Sequence, residues 1–207
     1  MFRLRQLVFF HVRRYFFFYV LALGFYLLGV IMGSLGVQVI AAEQAAELSN
    51  FLSNYLDYQA AHTLPTAQTI GTLLWSNLKL LLVLLIGGLS IWGLLLTPFI
   101  LFIRGFVLGF VAGFFTFDQG VKGVALSAAT LFPHSLINIA VLLIAAALSM
   151  SMSLSLVRET GQRVGFIPRF SRYLLINGCL ALVVVGTAGL EGYLSPIFVK
   201  VVSAYLN

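Results

Sequence analysis

Long apolar runs, separated by short polar or basic segments, dominate the hydropathy pattern of this chain. The first run covers residues 15–40, and further runs cover 133–157 and 173–190. Between them, residues 78–117 are almost continuously apolar. A single helix of that length would extend roughly 60 Å, about twice the hydrocarbon core of a bilayer, so the chain must turn back within it. Thr97-Pro98 is the expected turn, because proline disfavours helix in the residue before it and suits the first turn of the helix after it. Strand-like alternation is absent, which removes the closed barrel as a spanning solution. The expectation is an all-α, polytopic membrane protein with about five transmembrane helices, forming one integral membrane domain over residues 1–207. The run at 15–40 follows basic residues and ends near Val39-Ile40-Ala41, a weak match to a signal-peptidase site, but it is too long for a signal h-region and is read as an uncleaved span.

Residues 41–76 are the one long polar stretch. Its first half has a helical period: Leu48, Phe51, Leu52, Tyr55 and Gln59 fall on one side, and Glu43, Glu47, Asn50, Asn54 and Asp57 on another. This predicts an amphipathic helix with an acidic face after the first span, followed by a loop around Pro65, at 62–68. Packing of the apolar face on the spans is one reading. Docking of an extracytoplasmic partner on the acidic face is the other, and it makes Glu43, Glu47, Asn50, Asn54 and Asp57 candidate contact residues.

Charge sets the orientation. The net charge of +6 belongs to a chain only 9% charged, and its basic residues flank apolar runs, so it signals membrane lipids and not nucleic acid. Eight of the twelve basic residues lie in the tail 1–14 or the loop 158–172. Those two segments share a side only if an even number of spans separates them, and the plan above places four there. The positive-inside rule then puts the N-terminus and the 158–172 loop in the cytoplasm, and the C-terminus and the 41–76 segment outside. Residues 118–130 read as a connection, with the fourth span opening at Pro133, and a short tail follows Glu191.

No motif for zinc hydrolysis, a serine nucleophile, phosphate binding or paired carboxylates is present, so neither an enzyme nor a cofactor is expected. His11, His62 and His134 fall in a tail, an outer loop and the mouth of the fourth span, too dispersed for a metal. The lone Cys179 reads as a small buried hydrophobe. Arg104, His134, Asn138 and Glu191 are the candidate polar groups in or near the membrane. Arg104 would lie a turn and a half past the expected turn, within snorkelling reach of the cytoplasmic surface or of a carboxylate or partner, and Lys79 would snorkel outward. Gly105, Gly109 and Gly113 repeat every fourth residue, and Gly29 and Gly33 form a shorter stripe. Such stripes let helices approach closely, within the monomer or across a homodimer.

Three stretches carry a family resemblance. Phe102-Ile103-Arg104-Gly105-Phe106-Val107-Leu108-Gly109-Phe110, continued by Gly113-Phe114, resembles the most recognisable segment of the stage II sporulation protein M family. Leu131-Phe132-Pro133-His134 and Glu191-Gly192-Tyr193-Leu194-Ser195-Pro196 agree with it in order and spacing. The family often has glycine after the proline-histidine pair and a carboxylate one turn on; here Ser135 and Asn138 stand there, which argues against a proton-linked role. The resemblance implies a multi-pass protein on the mother-cell side of the sporulation septum. It implies a non-enzymatic scaffold recruiting stage II sporulation proteins D and P, which degrade peptidoglycan during septal thinning and engulfment. The competing class is a small permease or transporter subunit, with Arg104, His134, Asn138 and Asn177 lining a path.

Overall fold

The structure is a computed structural model that describes the backbone of residues 2–40, 42–61, 67–158 and 166–206, and the side chains of 15–40, 43–51, 54, 71–72, 74–117, 120, 136–157 and 167–189. The described residues are helical apart from short turns, with no strand among them. Helix α1 spans Phe2–Gly36 and passes into a 3-10 turn at Val37–Val39; α2 spans Ala42–Ala61, α3 Ala67–Gly88, α4 Gly93–Arg158 and α5 Phe166–Leu206. Among the described residues, four stretches are long and apolar enough to cross a membrane: Tyr15–Val39, Gly93–Phe117, Leu136–Val157 and Ile167–Gly189. Helix α3 adds a shorter apolar segment, Leu74–Gly88.

Helix α4 is two arms in one. At Gly120 the backbone leaves the helical region with φ 59° and ψ −132°, and the chain is helical on both sides. A side chain there would be strained, which is why glycine occupies the break. The expected connection at 118–130 is therefore helix on either side of one residue, and Pro133 lies inside the second arm instead of opening a helix. The second arm is the centre of the bundle. Its Val141, Leu142, Ala145, Ala146, Leu148, Met150 and Met152 form the core with Ala22 and Tyr26 of α1, Leu81 and Leu84 of α3, Leu101 of the first arm, and Tyr173, Leu180 and Val184 of α5. The run of small residues from Ala145 to Ala147, with Ser149 and Ser153, is what lets neighbouring helices crowd it.

The turn between the second and third apolar runs is not at Thr97-Pro98. It occupies the residues between Gly88 and Gly93, closed by Leu89 N–H to Ile86 O and Ser90 N–H to Gly87 O, both 3.0 Å, and by Gly93 N–H to Ser90 O, 3.1 Å. Glycine decides the position: a Cβ on Gly93 would collide with the Gly87 carbonyl, so only glycine permits the chain to fold back this tightly. Thr97 and Pro98 sit buried in the second turn of α4. Proline is tolerated there because only the few carbonyls of the opening turn lie behind it.

Other boundaries shift outward. Residues 67–76, expected within an outer loop, are helical in α3; Arg169 and Arg172, expected in a loop, lie in the opening turns of α5; and the segment after Glu191 continues as helix to Leu206. Cys179 is exposed, not buried. Tyr173, Asn177, Leu180 and Val184 occupy the inward face of α5 at helical spacing, and that register turns Cys179 outward. The outward surface is strongly apolar, with Phe17, Ile91, Phe99, Leu175 and Leu182 all exposed, as a protein bathed in lipid requires.

Substituting Gly120 by alanine is expected to cost about 1–3 kcal/mol, since the backbone region it occupies is nearly exclusive to glycine. Gly24→Ala, whose new Cβ meets nothing within 4 Å, is the control and leaves the thermal midpoint of the purified protein unchanged.

Candidate functional site

The two glycine stripes face one another. A Cβ on Gly29 would fall on the Phe102 carbonyl oxygen and 2.8 Å from the Phe106 nitrogen; one on Gly33 would fall on the Phe106 carbonyl and 2.8 Å from the Phe110 nitrogen. Reciprocally, a Cβ on Gly105 would fall on the Tyr26 carbonyl, one on Gly109 would fall on the Val30 carbonyl and 2.7 Å from its Cα, and one on Gly113 would stand 3.0 Å from Ser34 Cα. Backbone thus meets backbone along α1 and the first arm of α4. The pairing advances in the same direction on both helices, from Tyr26 with Gly105 to Ser34 with Gly113, so the two run parallel.

A polar network that the hydropathy pattern does not reveal closes one end of the bundle. Thr97 Oγ1 and Ser149 Oγ are 3.0 Å apart. The Ser153 hydroxyl accepts from Leu94 N–H at 3.1 Å and donates to Ser90 O at 2.8 Å. Tyr173 OH donates to the carbonyls at the end of α3, 3.0 Å to Leu85 O and 3.2 Å to Leu84 O. These contacts bring together the end of α3, the start of α4, the end of its second arm and the start of α5. Asn177, 1% exposed, gives one amide hydrogen to Tyr173 O at 2.9 Å and leaves its Oδ1 without a partner. Serine stands at every second position from Ser149 to Ser155; Ser149 and Ser153, one helical turn apart, face the network, while Ser151 and Ser155 bond back to carbonyls of their own helix.

The intramembrane candidates whose side chains are described do not converge. Asn138 Oδ1 accepts from Thr187 Oγ1 at 3.0 Å, tying the second arm to α5. Thr187 lies about 15 Å along α5 from Asn177, so these amides mark separate levels and line no common path. Arg104 is half-buried and stands about 16 Å along the helix from Gly93, near the middle of Gly93–Phe117. Moving the turn back from Pro98 has carried it far deeper than a turn and a half. It lies within electrostatic range of the Tyr26 hydroxyl. Lys79 lies over the Trp75 ring, 5.4 Å from its centroid. The side chains of His134 and Glu191 lie outside the described residues, as does that of Asp57. Among the described residues no group of three or more His, Cys, Asp or Glu is placed to hold a metal ion.

On α2, Glu43, Glu47, Asn50 and Asn54 are exposed, and Phe51 is exposed too, while Leu48 is half-buried. A groove of about 540 Å³ opens between this helix and the bundle, lined by Ile40, Gln44, Glu47, Leu48, Phe51 and Phe110. It is an apolar trough with a carboxylate on its rim.

A leucine at Gly109 must push α1 off α4, because the obstacle is Val30 backbone and not a flexible side-chain tip. Gly109→Leu is expected to lower stability by about 1–3 kcal/mol or more, the cost of overpacking. Gly186→Ala, with open space around its Cβ, should be neutral in the same thermal melt. Tyr173→Phe should cost about 1 kcal/mol through the lost hydrogen bond.

A family model described as stage II sporulation protein M matches residues 22–196, taking in the glycine seam, Arg104 and the whole polar network. No curated protein and no solved structure matches the chain. The match extends over far more than half of the sequence, and with it the chain belongs to the stage II sporulation protein M family.

Proposed function

We propose that this sporulation-related membrane protein is a non-enzymatic scaffold that holds peptidoglycan hydrolases at the septum during thinning and engulfment. Sporulation proteins D and P are the partners that the family resemblance implies, with the scaffold on the mother-cell side. The observation that carries the reading is the exposed acidic and apolar surface of α2 beside its groove. An amphipathic helix whose apolar residues stay partly uncovered, next to a trough with Glu47 on its rim, suits a protein contact better than a catalytic step.

The topology supports the same reading. Helix α1 and the first arm of α4 run parallel, so the chain between them has to return to its starting side. Helix α3 is the apolar element available for that return, and its 22 residues extend about 33 Å as a helix. With α3 crossing, five spans separate the termini. Arg169 and Arg172 then share a side with the start of α1, which the positive-inside rule assigns to the cytoplasm. Helix α2 comes to lie outside, where the wall is.

The test is co-purification from sporulating cells with a tagged chain and its Glu43→Lys/Glu47→Lys/Asp57→Lys variant. Both hydrolases should be recovered with the wild type and at least about tenfold less with the variant, as expected when charges at an interface are made repulsive. Equal recovery from the two would overturn the docking role of α2, and recovery from neither would overturn the scaffold.

A further inference from the structure

Arg104 occupies a position that the described residues around it do not explain. It lies near the middle of an apolar span, roughly 16 Å from Gly93, and an arginine side chain is too short to reach either surface from that depth. A cation held there is costly unless it is paired. Among the described residues it forms no ion pair and no hydrogen bond, and the Tyr26 hydroxyl is the neighbour within electrostatic range. It is half-buried and not enclosed, and the apolar residues beside it on the same arm, Phe99, Ile103 and Val107, are 60%, 45% and 54% exposed. The cation therefore stands at the edge of a face that is open to lipid.

We infer that Arg104 pairs with a carboxylate carried at mid-membrane depth by a transmembrane helix of a different protein. A second copy of this chain does not meet the requirement: the four candidate spans and Leu74–Gly88 contain no Asp or Glu. A lipid phosphate sits at the bilayer surface, outside arginine's reach from this depth. A carboxylate on a neighbouring helix reaches the guanidinium without deforming the bilayer. The planar, bidentate geometry of that pair also fixes the partner's register. The inference rests on the depth and exposure of Arg104 and stands whether or not the partner is a wall hydrolase.

The test uses the purified full chain in liposomes with a fluorescent polyleucine helix bearing one central glutamate, and reads association by energy transfer. The glutamate peptide should bind at least about tenfold more tightly than the same peptide with glutamine, and moving the glutamate two turns toward either end should abolish the difference. Arg104→Lys should retain part of the preference and Arg104→Leu none. Val107→Trp, a change on the exposed face that leaves the core untouched, should weaken binding with the charge intact. Equal binding of the glutamate and glutamine peptides to the wild type would sink the inference without bearing on hydrolase recruitment. So would association that follows the anionic lipid content and not the peptide's carboxylate, which would assign Arg104 to lipid phosphate.

Discussion

The seam between α1 and the first arm of α4 is the contact on which the rest of the bundle depends. Lipid gives apolar helices no hydrophobic reason to leave it, so their association comes from packing and close approach. Here the approach is closest possible in kind: carbonyls and amide nitrogens of one helix rest against glycines of the other, with no side chain between. Helix α1 is otherwise largely open to lipid, with Phe16, Phe17, Val20, Leu28 and Ile31 exposed. Removing the seam would leave it few other anchors. The parallel direction of the two helices also constrains everything between them, since the intervening chain must cover the same distance in reverse.

A second constraint acts at the end where α3 meets α4. A tight turn leaves backbone groups unpaired, and in an apolar setting each must find a partner. Ser153 and Tyr173, from elements far along the chain, supply those partners: one hydroxyl bridges the turn and the first turn of α4, and the other meets the last carbonyls of α3. Ser153 and Tyr173 thus complete the backbone of a turn, while Thr97 with Ser149 and Thr187 with Asn138 tie helices together side chain to side chain. Asn177 differs from all of these in keeping a buried carbonyl oxygen without a partner.

Hydropathy made the helical class and the apolar segments legible, because period and length depend on residue type alone. The glycine stripes were equally legible, but which helix each would meet was not, since that depends on register between distant segments. In the sequence Pro98 is the stronger turn signal, yet the chain folds back at Gly87, Gly88 and Gly93. Proline is a local signal, whereas the collision that demands glycine exists only once two strands of backbone are brought together. The depth of Arg104 follows from the same turn, which lies further back along the chain than Pro98. Gly120 escaped notice for a related reason: a single left-handed residue leaves no compositional trace among the small residues around it. Residue type alone points Cys179 inward, whereas the helix buries Tyr173 and Asn177 on the face opposite.

The first arm of α4 links the two candidate contact surfaces. Phe110 lines the groove beside α2, and Arg104 lies about 9 Å below it along the same helix. Ile103 and Val107 occupy the helical surface between them, so groove, apolar strip and cation form one continuous face. The opposite side of the arm is pressed against α1 through its glycines, which fixes the spacing of that face. A partner whose transmembrane helix lay along the strip would meet Arg104 within the bilayer and present its juxtamembrane segment to the groove. Two modest contacts held at a fixed distance then bind as one, because the second forms at high effective concentration once the first is made. In a scaffold of the proposed kind the glycine seam would act from behind, without touching the partner: loosening it would separate the two contacts that such a partner must reach together.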